Sequence, residues 1–437
     1  MNKKLPLISL FIMSIVSIFY WVLKPKEELH EAKWNAPDTT LAITINGEIS
    51  TTFPTTKDYT ATVECTIGTG TVEWNGTKWI LTTSGIASGN VKCNALFQGV
   101  PDGWYDAEDG TILAALRENN ALTKSISVPG KESSTGNEAV FASTEDDYGT
   151  SYYFRGAVKN NYVQFADKCW RIVRVTGDGS IKLVLHNNND AGVTNPCGKE
   201  NNTDQAAFIG VSNFNSYSGN VGYMYGVDDS TDYATKFAND YISNILSDLI
   251  DFYPSDYDDL LADVIWCNDK SYTLKSSGNS DVYPRQRYGA GDRLIMLHKP
   301  SLICPSDNNG GKLSKYTVND TENGNGNLEY KIGLLTADEL AFAGYYAAEY
   351  PDNPNTYLKE NAIGSWWTMS PGGFGNIEDS SIIILFSSEN EESFTEAIPG
   401  SNGDEFDSSV QIRPSIALVS TVKVTGSGTS DDPYVVE

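Results

Sequence analysis

Six cysteines carry the clearest chemistry in this chain: Cys65, Cys93, Cys169, Cys197, Cys267 and Cys304. No two form a Cys-x-x-Cys pair, which argues against zinc-ribbon or thioredoxin-type chemistry. An even set of cysteines points instead to disulfides made in an oxidising compartment. Sequence alone leaves their pairing open. Sequential pairing is expected, because each bond then falls inside one apparent structural unit. Catalytic combinations are scarce. The histidines are His30, His186 and His298. His298 and Cys304 could be drawn as base and nucleophile. However, Pro300 and Pro305 place both in a loop, and Cys304 fits better as half of a disulfide. HExxH, GxSxG, Walker and GxGxxG motifs are absent. Paired carboxylates are so common here that they neither favour nor exclude a glycosidase-like pair. No catalytic residue and no cofactor is assigned.

Two further groups could bind rather than react. Oxygen-rich loops at residues 228–232, 319–327 and 401–409, the last with Asp404, Glu405 and Asp407, could hold a structural Ca2+. None has the EF-hand spacing, and solvated turns compete with that reading. Trp366 and Trp367 are adjacent, so in a strand their side chains point to opposite faces. One indole is expected in the core. The other is expected on a surface, to stack on a sugar ring or anchor a protein. Trp366, Trp367, Asp404 and Asp407 are therefore the expected ligand-binding residues. Arg413, in an otherwise apolar strand, is expected to pair a buried carboxylate.

The elements that must position these residues begin with an uncharged segment. Residues 5–23 carry no charge, with Lys3 and Lys4 before them and Lys24 and Lys26 after. That is long enough to cross a bilayer core. No small-residue cleavage site follows, and Phe19, Tyr20 and Trp21 suit an interfacial belt. Residues 1–26 are read as an uncleaved signal anchor and 27–39 as a stalk. The anchor region holds four of the 31 basic residues and none of the 57 acidic ones, so the rest carries a net charge of −30. Such a surface repels nucleic acid and anionic lipid.

Period-two patterns start at Leu41. With Asn75-Gly76 flanked by strand formers, a signal for a type I′ hairpin, residues 40–99 read as a small all-β immunoglobulin-like sandwich. Cys65 and Cys93 flank Trp74 and Trp79, at a spacing short for an antibody domain. Residues 100–145 read as a short helix, with Ile112, Leu113 and Leu116 on one face, followed by a linker. Residues 146–424 read as one α+β domain. Cys169–Val175 and Ile181–Leu185 form an antiparallel pair, residues 233–252 an amphipathic helix, and Thr336-Ala337-Asp338-Glu339 a capping box. Residues 425–437 read as a surface-protein tail.

Ser143–Gly156, Cys169-Trp170-Arg171-Ile172-Val173-Arg174, Cys267-Asn268-Asp269-Lys270-Ser271, Ile332–Glu339, Trp367-Thr368-Met369-Ser370-Pro371 and Ile412-Arg413-Pro414 together resemble a group of surface proteins of gut Firmicutes and Mollicutes-like bacteria. The resemblance spans about residues 140–437, and no activity comes with it. A more distant resemblance is to the formylglycine-generating-enzyme-like branch of the C-type-lectin fold. There a Leu-Pro-Thr-Glu-Ala-Glu-Trp string opens a helix, where this chain has Leu334-Leu335-Thr336-Ala337-Asp338-Glu339-Leu340. That resemblance implies a compact α+β domain with a loop-built binding face. The enzymes' C-terminal cysteine pair has no counterpart after Cys304, and the lectin sugar-and-calcium triplet is absent.

The expectation is thus a multidomain, single-pass cell-membrane protein with the bulk of the chain outside. An N-terminal transmembrane helix carries the immunoglobulin-like sandwich and a C-type-lectin-like domain. The expected role is adhesion, with loops around residues 366–410 recognising an extracellular glycan or protein and no nucleic acid. The alternatives are an extracytoplasmic glycan- or wall-acting hydrolase, and a structural envelope protein. Two carboxylates near a Trp in one pocket would favour the hydrolase.

Overall fold

The computed structural model describes residues 39–84, 91–123, 138–190, 192–203, 206–211, 253–269, 271–273, 286–305, 314–345, 356–362, 364, 366–374, 380–387, 392–397 and 411–437. The expected anchor and the expected helix at 233–252 lie outside these residues. Among the described residues no helix is long and apolar enough to cross a membrane. The chain divides into two units, Met1–Gly99 and Val100–Glu437, and strands dominate both.

The smaller unit contains β1 (Thr39–Ile45), β2 (Glu48–Ser50), β3 (Tyr59–Cys65), β4 (Thr69–Trp74), β5 (Trp79–Ser84) and β6 (Val91–Gly99). Four strands form a sheet in the order β2-β1-β6-β3, and among the described residues β4 pairs only with β5. Along β6 the burial alternates: Val91, Cys93, Ala95 and Phe97 are buried, and the residues between them are not. That is a sheet with one face on a core. The Phe97 ring lies 5.3 Å from Phe53 and 5.2 Å from Trp79.

β1, the first strand, runs parallel to β6, the last. One feature departs from an antibody-type domain: Cys65–Cys93 joins directly opposed residues of neighbouring strands in one sheet. An immunoglobulin bridge spans two sheets. The Asn75-Gly76 hairpin forms, but Trp74 pairs with Trp79, leaving four loop residues rather than two. Asn75 Oδ1 accepts from the Thr77 and Lys78 amides, so the side chain closes a longer turn.

In the larger unit, α1 (Ile112–Asn119) has Thr111 as its N-cap and buries Ile112, Leu113, Ala114 and Leu116. Residues 100–123 therefore belong to this unit's core, because Trp104 and the apolar helix face pack into it. The expected linker also ends early, since β7 (Ala139–Asp146) pairs along its length with β8 (Gly149–Gly156). β9 (Tyr162–Phe165), β10 (Lys168–Val175) and β11 (Ile181–Asn187) follow. After them come β12 (Gly210–Val211), β13 (Trp266–Cys267), β14 (Tyr272–Thr273), β15 (Gln286–Tyr288), β16 (Lys315–Tyr316) and β17 (Ile332–Gly333). α2 (Ala337–Ala343) precedes β18 (Trp366–Phe374), β19 (Ser380–Ser387), β20 (Glu392–Ala397) and β21 (Gln411–Ile412). The chain ends in β22 (Ser415–Leu418), β23 (Val424–Thr425) and β24 (Tyr434–Val436).

One sheet runs β17-β22-β11-β10-β9-β24-β23, with β8 and β7 joined through β10. A second runs β12-β21-β18-β15-β14, with β19 and β20 beyond β18. β10 and β11 are antiparallel as expected. The tail is not free: β24 lies parallel to β9 and Tyr434 is fully buried.

β8, β10 and β11 are buried at nearly every residue, so both faces of this sheet are covered. Their polar positions are buried with them. Arg413 sits where the chain leaves β21 in one sheet for β22 in the other. Its guanidinium donates to the carbonyls of Leu185 and Leu358 and lies over the Trp366 ring, stitching the sheets together.

Candidate functional site

Among the described residues, two places in the larger unit are candidates for a site. The first is an ionic cluster under α2. The capping box forms in full: Thr336 Oγ1 accepts from the Glu339 amide at 3.0 Å, and the Glu339 carboxylate accepts from the Thr336 amide at 2.9 Å. That closure turns Glu339 inward, where it meets Lys182 Nζ at 2.7 Å and Arg174 Nε at 3.0 Å. Arg174 also pairs Asp146. Alongside, Arg293 bridges Asp269 and Asp338, each at 2.7 Å.

Burial alone would raise the Glu339 carboxyl, but Lys182, Arg174 and the Thr336 amide outweigh it and hold the group down to about 2. For Asp146 and Asp338 burial wins, and both sit above the usual carboxylate range. Burial, with Arg174 beside it, lowers Lys182 to about 8 despite its carboxylate partner. Gly289 allows the close approach: a Cβ there would collide with Ser271 Oγ and Asp269 Oδ2.

The cavity inside this cluster is about 20 Å³, room for roughly one water. Charges so neutralised around so small a void form a structural network.

The second place is an open cleft of about 310 Å³ lined by Ala166, Lys168, Trp170, Asn188, Tyr253, Pro254, Ser255, Asp256 and Tyr257. One wall is the β9–β10 hairpin, whose two loop residues, Ala166 and Asp167, have φ of 49° and 59°. Positive φ at both is the type I′ pattern, which favours Asn and Gly. Alanine in the left-handed region is a local cost of the kind that gathers at binding sites. The other wall is the 3₁₀ turn Ser255–Leu260. It is pinned by Tyr253, which donates to Asp258, and by Lys331, which reaches Asp258 and the carbonyls of Asp258 and Leu261.

Tyr257 is 41% exposed, with its ring 5.2 Å from that of buried Phe165. Lys168 donates to the Asn189 carbonyl. Burial lowers its ammonium, and Asp190 and Asp167 oppose that shift. The cleft thus offers an aromatic face, an ammonium, a carboxamide and one carboxylate, Asp256.

The sequence-selected residues do not converge here. Trp366 and Trp367 are 0% and 3% exposed, so neither offers a stacking face. Alternation does send adjacent side chains to opposite faces, but in this region both faces are covered. Asp404 and Asp407 lie outside the described residues, as do the loops at 228–232 and 401–409. In the loop at 319–327 the Asp320 carboxylate accepts from the Glu322 and Asn323 amides, closing a turn. Among the described residues no group of three or more His, Cys, Asp or Glu could hold a metal ion.

The disulfides are Cys65–Cys93, Cys169–Cys197 and Cys267–Cys304, the sequential pairing expected. Cys304 is therefore no nucleophile for His298. Three such bonds fit an extracellular or secreted protein. Arg413, expected to pair a carboxylate, forms no ion pair among the described residues and uses backbone carbonyls instead.

Sequence reasoning missed the cleft because its walls come from segments about 85 residues apart with no shared period. The one local signal was Tyr253-Pro254 beside Tyr257, an aromatic-rich turn. No family model, no curated protein and no solved structure matches this chain.

Proposed function

We propose that this chain is an extracytoplasmic recognition protein whose larger unit binds a glycan in the cleft between the β9–β10 hairpin and the turn at residues 255–260. The observation that carries the reading is the cleft itself. Its volume of about 310 Å³ falls at the lower end for small-ligand sites, and its lining alternates aromatic and polar groups. A sugar ring presents C–H faces to an aromatic ring and hydroxyls to ammonium, carboxamide and carboxylate groups. Tyr257 supplies the face; Lys168, Asn188 and Asp256 supply the polar partners. Adhesion at a cell surface follows if residues 5–23 serve as the anchor their lack of charge implies.

The C-type-lectin-like reading of this unit remains part of the proposal, supported by the capping box that opens α2. The immunoglobulin-like reading of the smaller unit has weaker support, given its disulfide within one sheet, and a spacer role does not require it. A hydrolase is less well supported. The cleft brings one carboxylate near Trp170, and the carboxylate-rich cluster surrounds a void the size of a water.

The test is a glycan array probed with the full chain, oxidised, in calcium and again in chelator. Saturable binding that Tyr257→Ala and Lys168→Ala each weaken at least tenfold is expected. Binding that both variants leave unchanged, or none from folded protein, would remove the cleft from consideration.

A further inference from the structure

Buried beside the cleft's sheet is a charge that no described carboxylate pairs. Arg171 and Arg413 are both fully buried. Arg171 has a carboxylate partner, Glu360, at 2.7 Å, and further bonds to Asn161 and the Val158 carbonyl. Arg413 has none among the described residues. Its Nε donates to Leu185 at 2.8 Å and its Nη1 to Leu358 at 2.7 Å, while its buried Nη2 has no hydrogen-bond partner.

Tyr357 lies next to both guanidiniums: its ring centroid is 5.1 Å from Arg171 Cζ, and Arg413 Nη1 donates to the carbonyl of the following residue, Leu358, at 2.7 Å. Its buried hydroxyl oxygen has no hydrogen-bond partner. His186, also buried, does not supply the missing negative charge. Burial and both arginines keep its imidazole neutral, and its Nδ1 has no partner. Two buried cations thus face one carboxylate, with unfilled donor positions at Arg413 and Tyr357. A lone buried charge is among the costliest features a protein can carry, and such groups are paired or bind an ion. Burial lowers Arg413 to about 10; Arg171 adds to the shift, and Tyr345, Tyr357 and Glu360 oppose it.

We propose that a small monovalent anion, chloride in size and charge, binds at the free Nη2 of Arg413 beside the Tyr357 hydroxyl. One negative charge balances the surplus. The ion accepts from Nη2 and from the phenol, donors that otherwise stay empty in the dry layer between the two sheets. Because Arg413 stitches those sheets together, the anion acts as part of the fold, coupling the stability of the larger unit to the anion supply of its surroundings. This site is separate from the cleft, so its test does not depend on glycan binding.

The experiment is thermal unfolding of the full chain in mild detergent, titrated with sodium chloride against sodium gluconate at matched ionic strength. Binding to the native state alone raises the melting temperature by mass action. A rise of a few degrees in chloride over gluconate is expected for a unit of this size. Arg413→Met should abolish the difference, and Tyr357→Phe, which keeps the ring, should reduce it. Bromide soaked into crystals of the wild-type chain should give an anomalous peak within hydrogen-bonding distance of Nη2. If Arg413→Met does not fold, Tyr357→Phe and the bromide peak decide the matter. Equal melting in both salts with no bromide peak would overturn the proposal, as would a water at Nη2 in bromide-soaked crystals.

Discussion

The sheets of the two units use the same sequence pattern to opposite ends. In β6, polar residues alternate with buried ones and Lys92 is exposed. In β11, Lys182 stands in the same alternating pattern and is 1% exposed. One sheet has a single covered face; the other is covered on both. Where the second face is covered, every polar residue on it must find a partner inside. Glu339, Arg174, Asp146 and Lys182 are the outcome. Period-two alternation establishes a strand and its two faces but does not say that the polar face is wet.

The largest test of this contrast removes the anion that two buried cations share. Glu339→Gln should cost the larger unit about 3–5 kcal/mol, because Lys182 and Arg174 lose a buried counter-charge. Glu73→Gln, on an exposed position of β4, should change the smaller unit by less than about 0.5 kcal/mol. Native-state hydrogen exchange, read strand by strand, separates the two units. Equal small effects would mean that the cluster is solvated.

Acid gives the second test. The folded Glu339 carboxyl lies near 2 against an ordinary 4.5. A depressed carboxyl stabilises the fold above its ordinary value, and that contribution disappears as pH falls through the folded one. It amounts to roughly 3 kcal/mol. The raised carboxyls of Asp146 and Asp338 titrate with the opposite sign, so the wild-type curve alone mixes the two. The useful quantity is the stability difference between wild type and Glu339→Gln in urea. It should be constant above pH 5 or so and shrink between 4.5 and 2. A pH-independent difference would assign the loss to the capping box rather than to the charge.

Local signals proved legible because their physics is local. The capping box needs only Thr336 and Glu339 at the right spacing, and it forms. Cys169 and Cys197 lie close enough in sequence to share one unit, and they bond. Ile112, Leu113 and Leu116 repeat at helical spacing and are buried. Trp366 and Trp367 were misread because a strand pattern cannot report what packs on each side. The tail at 425–437 was misread because its Gly, Ser and Asp content matches that of a free terminus, while the pairing that buries Tyr434 is with β9, far away in sequence. The cleft depends on long-range placement of Tyr253 and Tyr257 against Lys168, which no window of sequence contains.

The smallest expected effect is also the sharpest test of the contrast. Lys182→Gln should destabilise the larger unit by about 2–3 kcal/mol, since Glu339 keeps only Arg174 as a counter-charge and the Trp266 ring loses the ammonium 4.4 Å from its centroid. Lys92→Gln should change the smaller unit by no more than about 0.5 kcal/mol. Both remove a lysine charge from an alternating strand, so charge and strand propensity largely cancel in the comparison. What differs is the covering of the outer face. If Lys92→Gln cost as much as Lys182→Gln, the outer face of β6 would have to be covered too. A surface that reads as solvent-facing would then be a docking face, and the smaller unit would be more than a spacer.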